Sequence, residues 1–390
     1  MADRQRIEFY RHSLGDAEKA RVLAALDGMI LTTGDAVAEA ERALADYLGG
    51  PEVVCVDSCT AALHLALLTN NIGPGDEVIV PAMTFVATAN AVLMAGATPV
   101  FADVEPDTGL LTVETIAPRV TPRTKAIIPV HLYGLLCDME ALSAFAAARN
   151  LVVIEDSAHC VEARRGRVRP GSHGRCACLS FYATKNITCG EGGALVTRDP
   201  ALARRVRRLS LHGMTTSAAE RYAKRYRHWD VGELGWKYNL DNIRASLLLP
   251  QVGKMDSHCA RRRKIAARYD EAFAAVDGID VMNVRNPAWS ARHLYTVCVN
   301  AAGRDDMLVD LQEQGIGVAV NYRAVHLLQY FRRLFGFRRG DLPAAESIGD
   351  RTISLPLYSK LTDEQVEQVI QATTDTVFGY ERRSAVALAR

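Results

Sequence analysis

The chain has 390 residues, 49% of them hydrophobic and 23% charged, which fits a soluble globular protein with one large core and a second, smaller one. Its formal net charge of +1 leaves no global field to recruit nucleic acid or a membrane surface. No run approaches the roughly 18 apolar residues of a membrane-spanning helix, and Met1–Arg6 carries no apolar signal segment.

From about residue 50 to 200, short apolar runs alternate with helical patterns. Val53–Val56 precedes an expected helix from Thr60 to Asn70, and Glu77–Val80 precedes one from Phe85 to Met94. Pro99–Phe101, Ala126–Val130, Leu151–Ile154, Ala177–Phe181 and Ala194–Val196 follow. Continuous apolar runs of this length read as strands buried on both faces, and their alternation with helices predicts an α/β fold with an open, mostly parallel, seven-stranded sheet. Beyond residue 200 come an Arg-rich polar stretch from Ser217 to Asp230 and one long helical pattern from Asn239 to Phe273. A strand at Leu294–Val299, a helix at Asp305–Gln314 and a terminal helix from Thr362 to Phe378 complete the pattern. The expected division is a large domain over 1–255, whose first 30 or so residues could pack elsewhere, and a smaller α+β domain over 256–390. The basic runs Arg204–Arg208 and Arg261–Lys264 read as solvated helix faces.

In open parallel sheets, ligands bind beyond the carboxyl ends of the strands. Asp156 closes the run Leu151–Ile154 at such an end, and Lys185 follows the strand-like Leu179–Phe181 and precedes the glycine-rich Gly190–Gly193. Pyridoxal phosphate (PLP) needs a lysine for its aldehyde and a carboxylate for its pyridine nitrogen, so this pair is a candidate cofactor site. Taken singly, Asp156 also reads as a helix-capping acid and Lys185 as a surface lysine. Ser58-Cys59-Thr60 joins a strand to an apolar helix, where free amides and the helix dipole suit a phosphate, and Ser180 could add a hydroxyl. Phe85 and His159 stand where they could lie against a ring, or simply pack. Cys176 and Cys178 lie within one strand-like run whose successive side chains alternate in direction, and no second closely spaced cysteine pair completes a common zinc pattern, so no metal is expected. The nine cysteines, an odd number mostly within apolar segments, read as reduced thiols in a cytoplasmic protein.

With these residues in view, the chain resembles the DegT/DnrJ/EryC1/StrS family of PLP-dependent sugar aminotransferases from about Phe9 to Tyr380. The resemblance is carried in order by Leu31–Gly34, Gly73–Val78, Pro81–Thr88, Thr121–Ile127, Pro129–Gly134, Ile154–His159, Ser180–Gly193, Lys237–Leu240 and Ser354–Leu357. It implies an aspartate-aminotransferase-like fold (PLP fold type I) and a homodimer with active sites at the subunit interface. It also implies L-glutamate as amino donor and a nucleotide-linked keto-sugar as acceptor. By match to the family's motifs, Lys185 is the lysine that carries the cofactor and Asp156 the partner of its ring nitrogen. Cys59, Thr60 and Ser180 fall at the phosphate, Asn239 at a phosphate contact supplied by the other subunit, and Phe85 and His159 beside the ring. Tyr322 and His326 match a substrate-side segment. Cys59 departs from the family's usual glycine, and His159 replaces the glutamine of many members. Histidine there, with Asn186-Ile187-Thr188-Cys189, resembles the branch acting on 4-keto sugars. A 3-keto sugar or cyclitol ketone is the nearest alternative, and a non-catalytic binding or regulatory protein of the same fold the more distant one.

Overall fold

Apolar runs of four or five residues, each closed by a turn or a helix cap, assemble into one seven-stranded sheet. The structure is a computed structural model that describes residues 6–215, 228–282, 284 and 288–388. The Arg-rich stretch expected from Ser217 therefore lies outside the described residues as far as residue 227. In chain order the strands are β1 Glu52–Val56, β2 Glu77–Pro81, β3 Thr98–Ala102, β4 Thr124–Ile127, β5 Val152–Asp156, β6 Cys176–Ser180 and β7 Gly193–Thr197. Their spatial order is β1-β7-β6-β5-β4-β2-β3. β3, β2, β4, β5 and β6 pair in parallel, and β7 runs antiparallel to both β6 and β1. The ends of β1, β5 and β6 and the start of β7 thus share one edge, where a crevice forms.

Helices α1 Asp16–Leu26, α2 Asp35–Leu48, α3 Cys59–Thr69, α4 Ala87–Met94, α5 Asn242–Val252, α6 Met255–Phe273, α7 Arg304–Glu313 and α8 Asp363–Leu388 frame the sheet and the second core. α3 is buried almost all round, as its apolar sequence demands, with Leu63, Leu65 and Leu67 each contributing about 1.5–3 kcal/mol by burial. On the opposite side, Leu44 and Leu48 of α2 and Leu248 of α5 pack with Val53, Ala177 and Val196 of the sheet.

The helical pattern from Asn239 to Phe273 is two helices rather than one. Pro250 removes a backbone donor from the last turn of α5, Gly253 caps it, and α6 departs from Met255. α5 stays with α1 and α2, while Ile265, Tyr269 and Phe273 of α6 enter a second core with Tyr295, Leu311, Leu355 and Val369. A three-stranded sheet, Thr352–Leu355 beside Tyr295–Cys298 beside Asp280–Val281, lies in that core. Ile7 joins it from the N-terminus, donating its N–H to the Gly315 carbonyl at 2.9 Å and accepting from the Gly317 N–H at 2.8 Å. The basic run Arg261–Lys264 is not wholly solvated, because Arg262 is buried on Glu162 at 2.6 Å. No described helix is long and apolar enough to cross a membrane.

Candidate active site

A cavity of about 490 Å³ opens at the shared strand edge. Lys185, Asp156, Cys59, Thr60, Phe85, His159, Ser180 and Tyr322 all line it, so folding gathers residues spread over more than half of the chain.

Asp156 is placed by its backbone: its N–H bonds to the Pro129 carbonyl at 2.9 Å and its own carbonyl accepts from the His131 N–H at 3.0 Å. The carboxylate is buried, accepting from the Thr88 hydroxyl at 2.8 Å and the Ala158 N–H at 3.2 Å. Burial raises its pKa above the ordinary carboxylate range, against the pull of those two donors and of Lys185. It is an acid short of a cation, which a protonated ring nitrogen would supply.

Lys185 follows β6 on a loop folded back on the strand. Its N–H bonds to the Tyr182 carbonyl at 2.9 Å and the Cys189 N–H to the Phe181 carbonyl at 3.0 Å. Gln251 of α5 clamps the loop, accepting from the Thr188 N–H at 3.0 Å and donating to the Thr188 carbonyl at 2.7 Å. Burial pushes the half-buried amine down to about 8, although Cys59, Asp156 and Cys160 pull the other way. A neutral amine is the nucleophilic form, so the site favours attack on an aldehyde.

His159 packs over the same space. Its Nδ1 accepts from the Tyr133 N–H at 3.2 Å, and a backbone N–H can only donate, so the ring hydrogen sits on Nε2. Nε2 then donates to the Tyr322 hydroxyl at 3.1 Å, which leaves the phenolic hydrogen for the cavity. Burial, and after it Lys185, holds His159 well below the ordinary histidine range and hence neutral. The His293 ring lies against it, tilted, at 4.5 Å between ring centres. The Pro129–Gly134 motif has a matching cause. Gly134 has φ +103°, and a Cβ there would come within 2.7 Å of the Arg292 backbone nitrogen, so the Tyr133 amide reaches His159 only past a glycine.

At the other end of the cavity Ser58 caps α3, its hydroxyl accepting from the Ala61 N–H at 3.1 Å. The Ala62 N–H bonds to the Ser58 carbonyl at 3.1 Å, which leaves the Cys59 and Thr60 amides without a partner inside the helix. A Cβ on Gly193 would lie 2.4 Å from the Ser58 carbonyl carbon and 2.5 Å from the Cys59 nitrogen. That glycine is what lets β7 begin against this turn. The Cys59 thiol faces inward, 3.5 Å from the Cys178 carbonyl and 4.0 Å from Asp156, so a side chain in place of the family's glycine leaves the turn's amides available. The donor set fits PLP: free amides and hydroxyls for a phosphate, Asp156 for the ring nitrogen and Lys185 for the aldehyde.

Two expected residues lie elsewhere. His326 is fully buried, bonded through Nε2 to Glu346 at 3.0 Å, and does not reach the cavity. The short helical turn Val325–Leu327 carries it, so the residue expected on the substrate side is packed away from this chain's cavity. Asn239 is outside this chain's cavity and donates to the Thr33 hydroxyl at 2.7 Å. Conversely, Thr88, His293 and Asn321 contribute to the site without having been singled out. Thr88 was readable: it stands four residues after Thr84 within Pro81–Thr88, and the two hydroxyls meet at 2.9 Å.

Residues 12–374 match the model of the DegT/DnrJ/EryC1/StrS aminotransferase family. The chain is 41% identical over 372 residues to the spore coat polysaccharide biosynthesis protein SpsC of Bacillus subtilis (strain 168), covering 94% of this chain and 96% of that protein. It is similar to the PLP form of the putative sugar aminotransferase Spr1654 from Streptococcus pneumoniae, with a TM-score of 0.89, 33% identity and coverage of 96% and 99%. The same protein's PMP form aligns with a TM-score of 0.90. Helicobacter pylori PseC, an aminotransferase involved in the biosynthesis of pseudoaminic acid, aligns with a TM-score of 0.90 at 28% identity, over 96% of this chain and all of that one. The fold is that of the type I PLP enzymes, and the cofactor is PLP.

Proposed function

The chain belongs to the DegT/DnrJ/EryC1/StrS aminotransferase family and is a sugar aminotransferase; from that premise we propose that it moves the amino group of L-glutamate to a nucleotide-linked 4-keto-deoxysugar. The observation that carries the reading is the pairing in one cavity of an amine near neutrality, Lys185, with a buried carboxylate, Asp156. Bound PLP supplies an electrophilic aldehyde and a ring that takes up electron density from the substrate carbon. Asp156 keeps the ring nitrogen protonated through both half-reactions. The Cys59 and Thr60 amides, with Ser180, hold the phosphate. Lys185 Nζ takes the proton from Cα of glutamate and, in the return half, delivers one to the sugar carbon that receives the nitrogen. His159 and Tyr322 cover the ring and exclude water. His159, with the Asn186–Cys189 run, supports the 4-keto choice.

The reading extends to a homodimer. Leu23, Leu26, Met29 and Leu31 show apolar surface on α1 and the turn after it, Met29 with 91% of its area exposed. Asn239 is bonded to Thr33 next to that patch, a position suited to a partner's phosphate. We place the boundary between the two domains at the Gly253–Lys254 break, and the enzyme in the cytoplasm, where its nine free thiols would stay reduced.

The test is an absorbance spectrum of the purified protein before and after L-glutamate. A visible band that shifts toward the pyridoxamine form, and is missing in Lys185→Ala, supports the donor half. A panel of nucleotide-linked 3-keto and 4-keto sugars and a cyclitol ketone then tests the acceptor. Turnover of only the cyclitol would overturn the substrate proposal.

A further inference from the structure

The cavity offers an acid to the ring and donors to a phosphate, yet among the described side chains lining it the sole cation is Lys185. An amino donor of the glutamate class brings two carboxylates. Each loses solvation on entering, and a carboxylate out of water needs a cation or several strong donors. Lys185 is committed to the reacting atoms.

A second, smaller hollow adjoins the cavity, and Thr184 and Lys185 line both spaces. Tyr10, Arg11, His12, Arg262 and His293 are among its other lining residues. Of the two arginines, Arg262 is spent: its Nη2 donates to Glu162 at 2.6 Å and to the Ala291 carbonyl at 3.2 Å. Arg11 is exposed and makes no ion pair among the described residues. Beside it the Tyr10 hydroxyl is shut off from solvent with no hydrogen-bond partner. A buried hydroxyl without a partner is costly, and ligand binding is one way to satisfy it. Burial raises the Tyr10 pKa to about 12, so the hydroxyl keeps its hydrogen to donate.

The segment that carries these residues is pinned at both ends. Ile7 bonds to Gly315 and Gly317 in the second core, and the Ser13 and Ser359 hydroxyls meet at 2.8 Å. Arg11 is therefore carried on a fixed segment that lines the same hollow as Lys185, and its planar fork can take a carboxylate through two parallel bonds.

We propose that Arg11 binds a carboxylate of the amino donor, with the Tyr10 hydroxyl as a second donor, so that the N-terminal segment selects a dicarboxylic amino acid. The proposal rests on the glutamate reading given under Proposed function. It assigns donor selection to a part of the chain remote in sequence from every cofactor residue.

The test uses the PLP-loaded protein and glutarate, a dicarboxylate with no amino group to transfer, titrated calorimetrically into wild type, Arg11→Gln, Arg11→Lys and Tyr10→Phe. The expected result is glutarate binding by wild type, about 30-fold weaker in Arg11→Gln, with Arg11→Lys in between and Tyr10→Phe weakened less. The visible cofactor band stays the same in all four. The preference for L-glutamate over L-alanine in the first half-reaction falls by the same factor in Arg11→Gln. Equal glutarate affinity in wild type and Arg11→Gln overturns the assignment while leaving the glutamate reading intact. A wild-type protein that keeps its cofactor band but neither binds glutarate nor reacts with L-glutamate overturns the donor reading itself.

Discussion

Lys185 loses solvation when the loop after β6 folds back, and that loss outweighs the attraction of Cys59, Asp156 and Cys160, leaving the amine near about 8. Only the neutral amine attacks an aldehyde, and the neutral form grows as pH rises through the folded-state value. At pH 7 roughly a tenth of the amines are neutral, against well under 1% for a lysine at its ordinary ~10.4. The rate of PLP uptake by cofactor-free protein should therefore rise about tenfold per pH unit below about 8 and level off above it. Stopped-flow absorbance reads this directly, and a rate still climbing near pH 10 would remove the argument. Thr88 acts on the other half of the pair. Its hydroxyl donates to Asp156 at 2.8 Å and opposes the upward shift from burial. Thr88→Val should cost about 1.5–3 kcal/mol of support for the carboxylate, seen as a drop of roughly 10- to 100-fold in kcat/KM, with Thr88→Ser close to wild type. His326 gives the contrast. Held on Glu346 inside the core, His326→Ala should lower stability by about 2 kcal/mol in a denaturant titration while leaving the KM for L-glutamate unchanged.

Between residues and the molecule stand the strand ends. Where β7 begins, Gly193 lets its backbone meet the start of α3. A methyl group there collides with backbone rather than with a side chain that could swing away, so β7 or the Ser58–Thr60 turn must shift. Gly193→Ala should weaken PLP retention about tenfold or more, measured by equilibrium dialysis, because the turn that would hold the phosphate moves while Lys185 and Asp156 stay. Elements of this kind were legible to different degrees. The seven sheet strands stand out because each is a short apolar run buried on both faces. α1 was not expected, since it turns almost nothing inward; Glu18, bonded to Lys254 at 2.8 Å, is its one buried side chain. The break between α5 and α6 depends on which core each half joins, and helical periodicity carries no such information. Lys185 and Asp156 could be read from their strand-end context. The placements of His293, Arg262 and Arg11 could not, because they arise from packing between segments distant in sequence.

At the scale of the whole molecule, the question is whether one chain makes a complete site. Asn239 pairs across from Val56 at the end of β1, yet its side chain turns to Thr33 and away from this chain's cavity. A few residues along, Leu31 and Met29 leave apolar surface in water, at about 25 cal/mol for each Å² that a partner could cover. In a two-fold dimer any residue that serves the other site does so reciprocally. If Asn239 acts across the interface, Lys185→Ala and Asn239→Ala break different sites in a mixed dimer. One site then carries both lesions, and the other has an intact Lys185 facing an intact Asn239. Unfolding and refolding the two variants together in equal amounts makes half of the dimers mixed, so activity should recover to about a quarter of wild type. The two proteins kept apart should show no more than the residual activity of each. If Asn239 instead serves its own chain, both sites of the mixed dimer are damaged and the refolded mixture gains nothing over its components. Size-exclusion chromatography of the same mixture separates that result from a failure to form dimers.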